Sequence, residues 1–201
     1  AWCNGNYSEE LVFDTMTINN KEEGVFYAPD QLVYYSNTFN RLDEDCEYRL
    51  FIENPKTGKV ISSETVLIHN FSVDKPKYNP GNPVTGFTSS NAYKAEWKSA
   101  VNGRNYQLVV RFHYKEKPID GDTLYKSIDW VIGSKKAKNL DGGELLELQY
   151  TGTGFFGFLE NTIPVNPEVK RIAGMVDFIF SVSGDDLNTY MEVNEPSASI
   201  V

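Results

Sequence analysis

Residues Tyr106 to Lys115 read YQLVVRFHYK, and this run constrains the fold more than any other part of the chain. Tyr106, Leu108, Val110, Phe112 and Tyr114 fall on one side of an extended backbone. Gln107, Arg111, His113 and Lys115 fall on the other. A period of two predicts a strand with one face on a core and one in water, so His113 is expected to point to solvent. Ala92 to Ala100 (AYKAEWKSA) follows the same rule, with Tyr93, Ala95 and Trp97 opposite Lys94, Glu96 and Lys98. Between the two runs, Asn102-Gly103-Arg104 reads as a hairpin turn. Ser127 to Ile132 and Ile172 to Val182 are further strands, the second with Val176, Phe178, Phe180 and Val182 in register. Trp97 is assigned to the core by its neighbours, as is Trp130 by Ile128 and Ile132.

The N-terminal third carries the same signals. Leu11 to Ile18 and Val25 to Tyr35 are β-branched and aromatic, and Pro29 splits the second run or sets it at an edge. From Cys46, the residues Tyr48, Leu50 and Ile52 face one way and Arg49 and Glu53 the other, with Phe51 the apolar exception. This predicts a half-buried strand. NPKTGK then supplies a turn, with Gly58 free to take a positive φ. Pro76, Pro80, Gly81, Pro83 and Gly86 mark a linker, although Phe71 and Val73 suit a short first strand of the second domain. Two helical turns interrupt the β pattern. One is carried by Phe155, Phe156, Leu159 and Ile163; the other opens with Ser183 as a cap and has Leu187, Tyr190 and Met191 as its apolar stripe. The expected organisation is therefore residues 1–70, a linker at 71–91, and a second β domain at 92–201.

Composition bounds the function. Aromatic residues at 13% in a chain of 201 supply enough apolar mass for packed cores. A net charge of -9 argues against nucleic acid, whose phosphates require a basic face. No apolar run approaches the length of a membrane-spanning helix. The chain opens Ala1-Trp2-Cys3 without methionine, as a mature form or an excised fragment would. Cys3 and Cys46 are too few for a disulfide framework and belong to no C-x-x-C pair; spacing alone leaves open whether they pair.

Little in the sequence points to chemistry. His69 and His113 occur in no metal-binding or triad spacing, and no G-x-S-x-G elbow is present around Ser181 or Ser183. If free, Cys46 would have its thiol pKa raised by Asp43, Glu44 and Asp45. Those acids, Asp120 with Asp122, and Asp185 with Asp186 have the oxygen chemistry of calcium ligands but not a twelve-residue calcium loop. Solvated acidic loops are the expected reading, and no metal, cofactor or catalytic residue is assigned. Tyr125, beside the loop PIDGDTLY, is the binding candidate, with Asp120 and Asp122 next to it.

Leu42 six residues before Tyr48, the Gly58 turn and the run Ser62-Ser63-Glu64-Thr65 resemble the last hairpin of a fibronectin type III domain. In that family the tyrosine hydroxyl bonds back to nearby backbone. Glu44 stands where proline is common, and the domain is either short or lacks its first strand. The stretches YRLFIENPKTGKVISSETVLI, YQLVVRFHYKEK and GDDLNTYMEVNEPS are similar to exported lipoproteins of Bacteroidetes that join an immunoglobulin-like module to a larger β domain. The resemblance implies a fibronectin- or immunoglobulin-like β-sandwich followed by a larger antiparallel β domain with two short helices. It also implies a periplasmic or outer-membrane address, with membrane attachment only through a lipid anchor upstream.

The expected function is a non-enzymatic binding or adhesion module with a protein or glycan partner. An accessory glycan-binding role predicts a row of exposed coplanar rings near Tyr125. A hydrolase predicts converging carboxylates or a Ser/His pair in one cleft.

Overall fold

The computed structural model describes residues 1–19, 30–38, 42–77 and 87–194. Every strand pairing in it is antiparallel, and the fold is mainly β. The chain divides into two units, Ala1–Leu67 and Ile68–Val201.

In the first unit, β1 (Trp2–Cys3), β2 (Asn6–Tyr7), β5 (Cys46–Asn54) and β6 (Lys59–Val66) form one sheet in the order β2-β1-β5-β6. β3 (Asp14–Ile18) and β4 (Gln31–Tyr35) form a separate pair. Residues 25–29 of the expected second run, Pro29 included, lie outside the described residues. Cys3 and Cys46 face each other across β1 and β5 with Cα atoms 4.4 Å apart, and they are joined in a disulfide. Cys46 therefore has no thiol to titrate. The β5–β6 hairpin closes as expected, with Gly58 at φ +66° donating its N–H to the Asn54 carbonyl at 2.8 Å. The half-burial expected of β5 does not hold: Leu50 and Ile52 are 42% and 46% exposed. Among the described residues no element closes over that face deeply enough to bury them.

The second unit is built from two three-stranded sheets. β7 (Val73–Lys75), β8 (Ala92–Lys98) and β11 (Leu145–Thr151) pair in the order β11-β8-β7. β9 (Asn105–Pro118), β10 (Leu124–Lys136) and β12 (Val169–Ser183) pair in the order β10-β9-β12. Part of the stretch expected as a linker therefore belongs to this unit: β7 pairs with β8, and Phe71 and Phe87 pack on its core. Pro80, Gly81, Pro83 and Gly86 lie outside the described residues.

Strand length explains the layering. At about 3.4 Å per residue, β9 runs about 48 Å while β8 and β11 run about 24 Å, so the short sheet covers only half of the long one. That half holds Trp97, Tyr106, Leu108, Leu146 and Tyr150, with Trp130, Phe178 and Phe180 packed against them. The other half is covered by α1 (Gly152–Thr162), whose Phe155 and Leu159, with Ile163 just beyond the helix, pack on Phe112, Tyr114, Ile128 and Val176. Thr151 caps α1 by accepting the Gly154 N–H at 3.0 Å. Phe156, counted into the expected stripe, stays 37% exposed.

Two local expectations are corrected. Asn102-Gly103-Arg104 does not close a hairpin, because β8 and β9 belong to different sheets. It is a corner: the buried Tyr106 hydroxyl accepts the Ala100 N–H at 2.6 Å, and it lies so close under Gly103 that a Cβ there would meet it at 2.2 Å. Nor does Ser183 cap the last helix. It ends β12, paired with Asn105, and α2 (Asp185–Asn194) starts two residues later. Arg104 binds Asp185 at 2.5 Å, Lys136 pairs with Glu192, and Asn188 is buried, so the polar side of α2 faces the fold. Leu187, Tyr190 and Met191 are left exposed.

Candidate functional site

The outer face of the β10-β9-β12 sheet gathers most of the chemistry of the second unit. Alternation on β9 turns Arg111, His113, Lys115 and Lys117 outward while Tyr106, Leu108, Val110, Phe112 and Tyr114 are buried beneath. Register places Asp129, Ser127 and Tyr125 of β10 opposite Arg111, His113 and Lys115. From β12, Asp177, Ile172 and Lys170 stand opposite Arg111, Lys115 and Lys117.

A bulge in β12 shapes this face. Gly174 and Met175 lie between Ala173, paired with Tyr114, and Val176, paired with Phe112, so two residues oppose His113 alone. Glycine is required there, since a Cβ on Gly174 would stand 2.7 Å from the His113 carbonyl oxygen. Met175 is thrust out and is 73% exposed. The result is a shallow concavity of about 530 Å³ lined by His113, Lys115, Tyr125, Ser127, Ile172 and Met175.

Charge is distributed unevenly along the face. The Arg111 guanidinium grips Asp129 through two bonds of 2.7 and 2.8 Å, which holds the Asp129 carboxyl below its usual range. His113 Nε2 meets Asp177 Oδ2 at 2.7 Å. Among the described residues Lys115 has no carboxylate partner, and its ammonium rests 5.0 Å from the centre of the Tyr125 ring. On the opposite, inner face Glu116 is buried and takes Lys126 at 2.5 Å and Arg171 at 2.8 Å. Those two cations hold its pKa down, Lys126 first.

Tyr125, the candidate from sequence, is 76% exposed and lines the concavity. Asp120 and Asp122 lie in the turn between β9 and β10 and do not line it. The row of coplanar rings does not form there, because the other tyrosine lining the concavity, Tyr114, is buried. Ser127 and His113 are cross-strand partners beside Asp177, an adjacency invisible without strand register. Yet His113 spends Nε2 on Asp177, and no hydrogen bond joins it to Ser127. Met175, Lys117 and Lys170 were not singled out from sequence. The signal for the first was the Ala-Gly-Met break in an otherwise alternating strand.

A second concavity, of about 540 Å³, lies in the first unit among Trp2, Tyr7, Leu11, Phe13, Tyr48 and Phe51. Its rings make no flat platform: Tyr7 and Phe51 are turned 76° and 56° from Trp2, and the Arg49 guanidinium sits 4.6 Å over Trp2. Among the described residues, one group of three metal-ligating side chains converges: Cys3, Asp43 and Cys46. Its two sulfurs are already bonded to each other, which leaves no metal site. The acidic pairs Asp120 with Asp122 and Asp185 with Asp186 take part in no such group.

The chain matches no known protein family, no curated protein and no solved structure. The site therefore stands on its geometry.

Proposed function

We propose that the protein is an extracytoplasmic, non-enzymatic binding module that uses the outer face of the β10-β9-β12 sheet. The observation that carries this reading is the exposed apolar pair Tyr125 and Met175, set around a concavity beside the Arg111–Asp129 and His113–Asp177 ion pairs. Exposed apolar side chains gathered around one concavity and rimmed by polar groups mark interaction surfaces. The Cys3–Cys46 disulfide supports an oxidising compartment. Together with the resemblance to exported lipoproteins, it favours the periplasm or outer-membrane surface, with a lipid anchor upstream as the means of attachment. The non-enzymatic reading is favoured by the lack, among the described residues, of a hydrogen bond between His113 and Ser127 that would activate the hydroxyl.

A glycan array probed with the wild-type chain and with Tyr125→Ala/Met175→Ser tests the proposal. Binding by the wild type that the double variant loses, with an unchanged melting temperature, is the expected outcome. An identical profile from both proteins would remove this face from the account.

A further inference from the structure

We propose that the Lys115 end of this face is an anion site and that its ligand is an acidic glycan, a chain of sugars bearing carboxylate or sulfate groups, held by charge and not by the row of coplanar rings that is missing here. The inference rests on reading this face as the binding face. Among the basic side chains here, Arg111 is matched by Asp129, His113 by Asp177 and Lys136 by Glu192. Lys115, Lys117 and Lys170 are not buried, and among the described residues they belong to no ion pair.

Lys117 and Lys170 are direct cross-strand partners. Like charges placed so repel and weaken the sheet, and in a chain with net charge -9 a neutralising acid would be easy to place. Asp120 and Asp122 in the adjoining turn and Glu168 just before β12 are the acids of this end, and none is paired with the three lysines.

Spacing and surroundings select the ligand class. Lys115 and Lys117 are same-face neighbours about 7 Å apart along the strand. Lys117 and Lys170 stand about 5 Å apart at Cβ. This triangle suits two or three anionic groups on a short oligomer. Beside it, the exposed Tyr125 ring, Ile172 and Met175 offer apolar surface, which a bare inorganic anion would not use but the C–H face of a sugar would. A nucleic acid would find a single exposed ring here, Tyr125, on which to stack its bases.

The test is a set of amide chemical-shift titrations of the ¹⁵N-labelled chain at low salt. The probes are oligogalacturonate, chondroitin sulfate oligosaccharides, neutral cello-oligosaccharides, single-stranded DNA and phosphatidylserine vesicles. An acidic oligosaccharide is expected to shift amides of β9, β10 and β12 around Lys115, with affinity falling as salt rises. Lys115→Gln, Lys117→Gln and Lys170→Gln should each weaken it about two- to fivefold, the range of an exposed ion pair, while Lys59→Gln leaves it unchanged. Relief of the Lys117–Lys170 repulsion should leave Lys117→Gln and Lys170→Gln as stable as the wild type or more so, which separates lost binding from lost fold.

No shift with either acidic oligosaccharide would overturn the inference. Neutral oligosaccharides shifting Tyr125 equally in wild type and lysine variants would overturn the anion site but leave the binding face standing. Shifts by acidic oligosaccharides confined to other surfaces would remove both. Equal binding by DNA or vesicles at the same amides would overturn the assignment to a glycan.

Discussion

Among the described residues, three tyrosine hydroxyls perform one task, each accepting a backbone N–H five or six residues earlier. Tyr48 takes the N–H of Asp43 at 2.7 Å, Tyr93 that of Thr88 at 2.8 Å and Tyr106 that of Ala100 at 2.6 Å. Their surroundings differ, which sets the cost of removing each. Tyr106 is fully buried, so Tyr106→Phe strands the Ala100 N–H and should cost about 1–3 kcal/mol in urea unfolding. At Tyr48 water can replace the lost bond, and Tyr48→Phe should cost about 0.5–1.5 kcal/mol. Equal losses at the two sites would contradict this account of burial. Gly174 is a residue-scale case of another kind. Gly174→Ala presses a methyl group against the His113 carbonyl and should destabilise by roughly 1–3 kcal/mol, with amide shifts centred on the bulge. The Tyr48 bond was legible from Leu42, Tyr48 and Gly58 together. The Tyr106 bond was not, because Asn-Gly between two alternating runs looks the same whether the runs pair or part.

Among the elements, legibility followed how strictly side chains alternate. β9 was read residue by residue, since five large side chains at period two have no other economical arrangement. β11 was missed: Leu145 to Tyr150 is rich in leucine and glutamate, good helix formers, and only pairing with β8 makes it a strand. Tertiary context also turned α2 over, since two ion pairs bind its polar side to the fold and leave Leu187 and Tyr190 outside. Buried charge was invisible for the same reason. Glu96 points away from the core on β8, yet it is 9% exposed because Lys75 (2.6 Å) and Lys94 close over it. Bonds from Lys75, then Lys94, hold its pKa below 4.5, as Lys126 and Arg171 do for Glu116. A carboxyl depressed in the folded state stabilises fully above its unfolded pKa, and that stability is lost as pH falls through the folded value. The melting temperature should therefore change little from neutrality down to about pH 4.5 and drop below it, in part through these two residues and in part through Asp129 and Glu192, which are depressed in the same way. Glu96→Gln/Glu116→Gln should be less stable at pH 7 and show a shallower acid slope; an unchanged slope would count against the two clusters.

For the whole molecule, fold class was open to sequence reasoning, whereas the site depended on long-range register. Tyr125 could be named as exposed, but its placement beside Lys115, Ile172 and the bulge comes from three strands far apart in the chain. The disulfide was equally out of reach, because a separation of 43 residues says nothing about proximity. Its effect can be estimated from that separation: closing such a loop in the unfolded chain contributes about 4 kcal/mol. Reduction should lower the stability of Ala1–Leu67 by about that amount in denaturant titrations followed through its own amides. No measurable change would mean that the bridge does little for the unit that holds it.

The central claim, that ligand is held on the outer face of β10-β9-β12, is tested most directly by amide hydrogen exchange with and without the tightest ligand from the glycan array. The account predicts added protection concentrated in β9, β10 and β12 between Arg111 and Lys117, Tyr125 and Asp129, and Lys170 and Asp177. Protection confined to Ala1–Leu67, or to the β11-β8-β7 sheet, would contradict it.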